Sequence, residues 1–314
     1  MSLSIDVVVP VYGNWAVTKD CLDHLALQTV EHTLTVVDDA GPDDTVQRLH
    51  DEYPHVAVIT LERNSGFAAA CNHGIRRGTA DLVVLVNNDV NADPAMLERL
   101  CEPFRDDAHL GSAAPLLFQP NGTIDALGLC ADPTMAGFVR FHGATPAELD
   151  SEAPALLGPY GAVAAYRRSA LDEVGILDED IFMYGEELDL ALRLSAAGWG
   201  TIAVLDSHGT HLGGATSGRG SSRQRERAGF GRGYLLRAYG VVTGRHGIRA
   251  VITEIIVCAG DLVLSHDLAS TRGRLAGWRA GRFAEKRRTP VPGVDTSIGF
   301  LQSLRLRVGD YKAR

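Results

Sequence analysis

Four short polar segments each follow an apolar run early in the chain. They are Pro10-Val11-Tyr12, Asp38-Asp39, Asn64-Ser65-Gly66 and Asn87-Asn88-Asp89. Ligands of an open parallel sheet lie beyond the carboxyl ends of its strands, so we expect these segments to face one cleft. A carboxylate is an unusual partner for a phosphate unless a divalent cation lies between them. Asp89 is therefore predicted to bind Mg²⁺ or Mn²⁺, which prefer oxygen ligands. Its alternative role, a helix N-cap, is already filled by Asp93.

A second acidic group, Glu186-Glu187, begins an amphipathic segment. One carboxylate close to a substrate hydroxyl can remove its proton as the oxygen attacks a carbon atom. The same pair also suits the first turn of a helix, where the helix dipole favours negative charge. The two roles are compatible. Arg193 lies four residues after Asp189, a spacing that favours an ion pair between them over contact with a substrate.

The elements that must position these groups alternate between strand and helix. Predominantly apolar runs predict buried strands at Ile5–Val9, Leu34–Val37, Val56–Leu61 and Leu82–Val86. Amphipathic stretches between them predict helices, so the first part of the chain is typical of parallel βαβ units. There is no GxGxxG after the first strand and no P-loop, which argues against the usual dinucleotide and ATP sites.

The pattern changes after about residue 115. The later elements predicted are a hairpin at Asn121-Gly122, a strand near Ala162–Tyr166, a helix at 187–197 and a strand at Thr201–Leu205. Residues 213–222 are rich in Gly and Ser and are predicted to be mobile. Residues 223–245 and 247–282 are predicted to be largely helical. The fold class is thus α/β, with a mostly parallel central sheet flanked by helices and a helical C-terminal extension.

Composition limits the classes of protein that fit. The chain has 314 residues, of which 45% are hydrophobic, enough for a large core. Its five cysteines are scattered, so neither a disulfide framework nor a zinc site is indicated, and a reducing cytoplasm fits. We expect no transmembrane helix, because no stretch of eighteen or more residues is free of charge. We expect no signal peptide, because the first ten residues lack a basic region followed by an apolar core and a small-residue cleavage site.

Charge is unevenly distributed along the chain. The net charge is −9, yet residues 219–314 carry 19 basic and 7 acidic side chains. A basic segment on an acidic body suggests an anionic partner, either a membrane surface or a phosphorylated substrate. The alternative is that the basic segment pairs with the acidic part of its own chain or with a second subunit. Charge asymmetry alone leaves the two alternatives even.

Six segments, in order, resemble the signatures of family 2 glycosyltransferases of the GT-A fold, and the bacterial rhamnosyltransferase-like members are the most similar. They are SIDVVVPVYGNW (4–15), VVDDAGPDDT (36–45), NSGFAAACNHG (64–74), LVNNDV (85–90), GILDEDIFMYGEELDLALRLSAAGW (175–199) and HLGGATS (211–217). One such segment would be weak support, whereas six in the family's order are specific.

The resemblance implies a nucleotide site on the strand ends. Residues expected to border the base and ribose are Pro10, Val11, Tyr12, Asp39, Asn64 and Gly66, the glycine allowing close approach of the backbone. Asn87-Asn88-Asp89 matches the family's DxD motif with Asn87 in place of the first Asp, so Asn88 and Asp89 are expected at the diphosphate. The resemblance implies that His211 is a second metal ligand or contacts the diphosphate. His208, three residues earlier, is the alternative.

The resemblance also implies roles around the acceptor. In the family the second residue of the acidic pair is usually an Asp that acts as the base. Here it is Glu187, which we expect to deprotonate the acceptor, with Glu186 as its competitor. Tyr160-Gly161 and Trp199 are candidate walls of the sugar pocket, because aromatic faces suit the apolar side of a sugar ring, although Trp199 fits the core equally well.

The predicted activity is an inverting, metal-dependent transfer from a UDP- or dTDP-sugar to an acceptor hydroxyl. The sugar is hexosyl, N-acetylhexosaminyl or rhamnosyl, and the acceptor is a cell-surface glycan, a lipid-linked sugar or a secondary metabolite. The alternatives are a nucleotidyltransferase of similar fold, which lacks its expected basic glycine-rich loop here, and a non-catalytic nucleotide-binding protein.

The predicted organisation has two parts. Residues 1–222 form a GT-A catalytic domain, with a nucleotide-binding half (1–115) and an acceptor and catalytic half (116–222). Residues 223–314 form a basic, mainly helical region that either lies on a membrane or forms a homodimer surface. The expected location is the cytoplasm, including the inner face of the membrane, and no nucleic acid partner is expected.

Overall fold

The early apolar runs form neighbouring strands. The computed structural model describes residues 3–149, 153–213, 221–285, 287 and 291–307. Within them the strands are β1 (Ile5–Val11), β2 (Thr33–Asp38), β3 (Ala57–Thr60), β4 (Leu82–Val86), β5 (Val90–Ala92), β6 (Leu110–Phe118), β7 (Ile124–Ala126), β8 (Leu129–Ala131), β9 (Gly137–Val139), β10 (Val163–Arg167) and β11 (Gly200–His211). The first four strands coincide with the four predicted runs to within one or two residues at each end.

The large sheet runs in the order β3-β2-β1-β4-β10-β6-β11-β5, with β7 paired to β6. Strands β3, β2, β1 and β4 are parallel, as is the pair β6 and β11. Strand β10 is antiparallel to both of its neighbours, and Val163 at its start pairs with Val86 at the end of β4. The residues just before β10 therefore lie at the same edge as the carboxyl ends of β1, β2 and β4.

Strand β11 is longer than predicted. The apolar run ends at Leu205, but pairing with β6 resumes at His208 after an irregularity in register. The extra residues carry the chain across β5, where His211 lies opposite Val90. A bulge absorbs the polar residues in between, and this is why the apolar pattern alone predicts too short a strand. The predicted hairpin is confirmed, with Gly122 at a φ of +82° between β6 and β7.

Helices cover both faces of this sheet. They are α1 (Trp15–Ala26), α2 (Thr45–Glu52), α3 (Phe67–Arg77), α4 (Met96–Cys101), α5 (Arg168–Val174), α6 (Glu186–Ala197), α7 (Ser222–Ala238), α8 (Gly247–Ser265), α9 (Ala269–Ala280) and α10 (Phe300–Arg307). In β1, Val7 and Val9 face the core under α1 and α4, while Val8 faces α3 and α5. Burial on both faces explains why these strands are mostly apolar and do not alternate.

The C-terminal helices share a core with the rest of the chain. Leu235 of α7 and Tyr239, the residue directly after this helix, pack in one cluster with Ile181 and Leu188. A Cβ added to Gly231 would collide with the carbonyl oxygen of Tyr184, so the backbone of α7 lies directly against the segment before α6. The predicted helix over 247–282 is two helices, α8 and α9, because the chain turns at His266 with a φ of +53°.

Many of the C-terminal arginines pair with acidic groups of their own chain. Arg287 contacts Asp178 at 2.6 Å and Asp189 at 3.1 Å. Asp189 also accepts a 2.7 Å bond from Arg193, as its spacing predicts, and a 2.9 Å bond from the Tyr239 hydroxyl. The fully buried carboxylate is thus surrounded by donors, which offset the loss of its hydration.

Candidate functional site

A cleft with a volume of about 450 Å³ opens at the carboxyl ends of β1, β2 and β4. Ten of the residues predicted for the site line it, namely Pro10, Val11, Tyr12, Asp39, Asn88, Asp89, Gly161, Glu186, Glu187 and His211. The structure therefore brings the strand ends of the first half together with the acidic pair and with the end of β11, as the shared-edge argument predicts.

Asn64 and Gly66 line a smaller adjoining cavity of about 90 Å³, which also touches Tyr12 and Asp39. Arg227 of α7 closes this cavity, and its guanidinium lies 4.1 Å from the centre of the Phe182 ring. The Oδ1 atom of Asn64 is buried and has no hydrogen-bond partner among the described residues. A ligand donor would satisfy it.

Asp39 holds the loop that borders this cavity. Its carboxylate accepts hydrogen bonds from the backbone N–H groups of Ser65 at 2.6 Å and of Gly66 at 2.9 Å. Burial raises the pKa of Asp39, although these hydrogen bonds oppose the rise. Gly66 has a φ of +95°, and a Cβ there would collide with the carbonyl oxygen of Phe182. The close approach that requires glycine is thus made by the backbone at Phe182.

His211 lies between two carboxylates. Its Nε2 atom is 3.2 Å from Oδ1 of Asp89, and its Nδ1 atom is 2.7 Å from Oδ2 of Asp125. Burial alone would lower the pKa of His211, but the hydrogen bonds to Asp125 and Asp89 outweigh it and raise the pKa to about 9. Asp125 fixes the orientation of the ring, as a carboxylate behind a metal-binding histidine does.

The other residues of the Asn87-Asn88-Asp89 segment have structural contacts. The side-chain amide of Asn88 donates a 2.8 Å hydrogen bond to the Thr18 hydroxyl on α1. The backbone N–H of Asn87 donates to the carbonyl of Ala162 at 2.8 Å, which ties the segment to the start of β10. Asp89 is therefore the carboxylate that this segment presents to the cleft.

The acidic pair behaves as one unit. Burial and the negative charge of Glu187 raise the pKa of Glu186 well above its usual range. Burial also raises the pKa of Glu187, but the backbone N–H groups of Glu187 and Gly185 and a hydrogen bond from Glu186 oppose this. Burial thus disfavours the charged form of both carboxylates, and more strongly so for Glu186. The Oε2 atom of Glu186 is buried and finds no partner in the described part of the chain.

Tyr160-Gly161 links the two acidic groups. The Tyr160 ring meets the His211 ring edge-on, with centroids 6.2 Å apart. A Cβ added to Gly161 would lie 3.8 Å from Cδ of Glu187. The absence of a side chain at Gly161 thus leaves open the space in front of Glu187.

Two expected positions lie elsewhere. Trp199 does not line the cleft, because its Nε1 atom donates a 3.0 Å hydrogen bond to Glu173 and its ring packs on the core that includes Leu194. His208 is also away from the cleft, with Nε2 2.6 Å from the carbonyl of Leu205 and its ring against Phe118. Of the two histidines, only His211 lines the cleft.

Sequence reasoning missed Asp125 and Arg227. Asp125 lies in the three-residue strand β7, and only the pairing of β7 and β11 with β6 brings it to His211. The one sequence feature that could have indicated Asp125 is its position in the predicted hairpin, because a carboxylate that is buried there needs a partner. Residues 214–220, most of the predicted mobile segment, lie outside the described residues. Among the described residues, no group of three or more His, Cys, Asp and Glu side chains is arranged to hold a metal ion.

Comparison with known sequences gives one consistent result. Residues 6–175 match the profile of glycosyl transferase family 2, and residues 130–272 match that of glycosyl transferase family group 2. The N-acetylglucosaminyl-diphospho-decaprenol L-rhamnosyltransferase of Mycobacterium tuberculosis is 26% identical over 68% of this chain and 78% of its own. An N-acetylglucosaminyltransferase of a Rhizobium species is 30% identical over 65% of this chain and 47% of its own.

Solved structures confirm the fold. A mannosyltransferase from Pyrobaculum calidifontis, in complex with GDP-Man and Mn²⁺, has a TM-score of 0.54 at 19% identity, over 91% of this chain and 77% of its own. GalNAc-T7, with UDP, GalNAc and Mn²⁺, has a TM-score of 0.58 at 16% identity, over 76% of this chain and 48% of its own. The predicted GT-A fold, a mostly parallel curled sheet flanked by helices with a C-terminal helical segment, is confirmed. Within the described residues, no helix is long and apolar enough to cross a membrane.

Proposed function

The chain belongs to glycosyl transferase family 2, and we propose that it transfers a sugar from a UDP- or dTDP-sugar to an acceptor hydroxyl with inversion at the anomeric carbon. One observation carries the proposal. A single cleft holds the Asp89–His211 pair and the Glu186–Glu187 pair, with Tyr160 against His211 and Gly161 on the side of Glu187. The first pair suits a diphosphate and the second suits a hydroxyl.

The nucleotide end of the donor is assigned to the cavity at Tyr12, Asp39 and Asn64. The buried Oδ1 atom of Asn64 accepts from an N–H group, and a pyrimidine base such as uracil or thymine carries one. Arg227 supplies positive charge at the same cavity. Both features favour a nucleoside diphosphate whose base enters this side.

The donor set at Asp89 and His211 fits a divalent ion. A carboxylate oxygen and an imidazole nitrogen lie 3.2 Å apart, and Asp125 orients the ring from behind. An ion held by Asp89 and His211 would supply positive charge for the departing diphosphate. Two protein ligands suit Mg²⁺ or Mn²⁺, since such ions take further ligands from phosphates and water.

Glu187 is assigned as the base. Its carboxylate accepts a 3.2 Å hydrogen bond from the N–H of Gly185 just before α6, which opposes the rise in its pKa that burial causes. The open space at Gly161 admits the acceptor hydroxyl, whose proton passes to Glu187 as the oxygen attacks the anomeric carbon. Glu186, whose pKa is raised more strongly, is assigned the proton and a hydrogen bond to Glu187. One displacement by one base inverts the anomeric centre, with no covalent intermediate.

The proposal is tested by the products. Purified protein is incubated with UDP- and dTDP-sugars, an acceptor panel and Mn²⁺ or Mg²⁺, and nucleotide release is followed by chromatography. We expect nucleoside diphosphate together with a glycoside of inverted configuration by NMR. Release of pyrophosphate would indicate nucleotidyl transfer, and a product of retained configuration would contradict the single displacement.

A further inference from the structure

Helix α8 buries small and polar residues and exposes large apolar ones. Its buried residues are Gly247, Ala250, Thr253 and Glu254. Its exposed residues recur at helical spacing and are Ile248, Val251, Ile252, Ile255, Ile256, Leu262, Val263 and Leu264. The exposed fraction reaches 81% at Ile248 and 69% at Val263. An ordinary surface helix has the opposite arrangement, so this exposed face needs a partner.

Ion pairs hold α8 in this orientation. Glu254 accepts hydrogen bonds from Arg232 and Arg274, each at 2.7 Å, and lies 3.2 Å from Arg307. Burial would raise the pKa of Glu254, but the three arginines outweigh it and lower the pKa to about 2. Turning the helix to bury its apolar face would separate Glu254 from these arginines. The exposed face is therefore a fixed feature of the fold.

Further exposed apolar side chains follow α8 in the chain. Leu268, Leu275, Phe283 and Leu301 are also exposed. Among the described residues, the other large apolar side chains of comparable exposure are Leu27, Ile202 and Leu205. Exposed apolar area is thus concentrated in the same C-terminal region that carries the positive charge. Single exposed apolar residues are ordinary, whereas a continuous face of this size marks an interaction surface.

The positive charge of this region favours an anionic partner for the apolar face. Exposed arginines occur in the same region of the chain, with Arg245 before α8, Arg272 and Arg279 on α9 and Arg282 after it. Two copies packed through one symmetric patch would bring these like charges together. An anionic lipid surface would attract them while burying the apolar face. At 19 residues and with Arg249, Glu254 and Asp261 along it, α8 suits a position in the plane of the interface.

We propose that the apolar face of α8, residues 248–264, docks in the interfacial layer of a membrane rich in anionic lipids, with the arginines of α9 among the headgroups. This surface is separate from the cleft, and binding is measured without turnover. The proposal therefore stands or falls independently of the proposed function.

The test uses the full chain and vesicles of phosphatidylcholine alone or mixed with phosphatidylglycerol. We expect co-sedimentation with the mixed vesicles at low salt and much less at about 0.5 M salt. Ile255→Asp should weaken binding at least about tenfold, because it removes buried apolar area and adds a repelled charge. Replacing Arg272 and Arg279 with Gln should weaken binding by about fivefold each at low salt.

Leu27→Asp is the matched control. Leu27 is 65% exposed and Ile255 is 62% exposed, so both changes remove a similar side chain and add the same charge. The control should bind as the unchanged protein does. Replacing Ile255 and Val263 with Ser repeats the test without a new charge if the Asp variant does not fold. Equal binding by the two Asp variants, or no binding to mixed vesicles at low salt, overturns the proposal. A dimer without lipid that Ile255→Asp dissociates assigns the face to a second copy instead.

Discussion

Oδ2 of Asp125 lies 2.7 Å from Nδ1 of His211, and this contact fixes which nitrogen of the imidazole faces Asp89. The two residues are 86 positions apart in the chain and meet because β7 and β11 pair with β6. A ring fixed in this way presents Nε2 to the cleft in a single orientation. A carboxylate behind a metal-binding histidine raises metal affinity in the same manner.

Asp125→Asn should therefore weaken metal binding more than it slows catalysis. We expect the apparent Kd for Mn²⁺ to rise by about 10- to 100-fold, with most of the turnover recovered at saturating Mn²⁺. Mn²⁺ titration of donor binding by calorimetry measures the first effect. Asp93→Asn, which changes an exposed carboxylate 3.9 Å from His208, is the control and should leave the affinity unchanged. An unaltered Mn²⁺ affinity in the Asp125 variant would show that its contact with His211 has no such role.

Asp89→Ala is a separate test of metal dependence. A chelator should weaken donor binding by the unchanged protein and have little further effect on the variant, because Asp89 is the carboxylate that the strand-end segment presents. Donor affinity is measured by calorimetry with and without the chelator. Equal donor affinity in all four combinations would exclude Asp89 from the metal site.

Glu187→Gln should abolish turnover while leaving donor binding nearly intact. The amide keeps the size of the side chain but cannot take the proton of the acceptor, so we expect kcat to fall by about 100- to 10,000-fold. The rate of nucleoside diphosphate release gives kcat, and calorimetry gives the donor affinity. Glu186→Gln, which keeps a donor beside Glu187, is the matched comparison and should lose much less. A near-normal rate in the Glu187 variant would be incompatible with its role as base.

Glu186 should make stability depend on pH. Its pKa is raised by burial first and by Glu187 second, so the folded chain holds a proton that the unfolded chain releases at an ordinary pH. The stability that this proton provides is complete below the ordinary carboxyl pKa and is lost as pH rises toward the raised value. The loss amounts to at most about 1.4 kcal/mol per pH unit.

Relative to the unchanged protein, Glu186→Gln should therefore be more stable at pH 8 than at pH 5. Urea unfolding at both pH values measures the difference. Glu52→Gln, at an exposed position on α2, is the control and should show the same free energy difference at both. A Glu186 variant whose difference does not change with pH would argue against a retained proton.

Gly231→Ala should destabilise the fold by about 1–3 kcal/mol, because its Cβ would collide with the carbonyl oxygen of Tyr184. Gly260→Ala on α8 is the matched control, since a Cβ there meets nothing within 4 Å. The control should be neutral or gain up to about 1 kcal/mol from its higher helix propensity. Urea denaturation measures both, and equal free energies of unfolding would mean that α7 moves aside without cost.

The early strands could be predicted from sequence because they are buried on both faces. Val7, Val8 and Val9 need no alternation when helices cover both sides of β1. The strand ends follow from them, so Asp39 and Asp89 could be assigned to one cleft. The end of β11 could not be predicted, because its polar residues before His211 are accommodated by a bulge that no periodicity shows.

Trp199 and α8 show a second limit. Trp199 has the chemistry of a sugar contact, yet its place at the end of α6 directs its indole N–H to Glu173. The apolar pattern of α8 predicts a helix, but periodicity does not tell which face of the helix is buried and which is exposed. Tertiary contacts such as the ion pairs of Glu254 determine which face is inside.

The contact of Gly231 with Tyr184 also limits how such a chain can be recombined. Tyr184 and Gly185 directly precede the acidic pair, so the backbone of α7 supports the residues that present Glu186 and Glu187. A chimaera that exchanged residues 223–314 for those of a relative would inherit a working acidic pair only if the incoming helix had a glycine opposite Tyr184. Sequence changes at Gly231 and in the segment around Tyr184 are therefore constrained to remain compatible with each other.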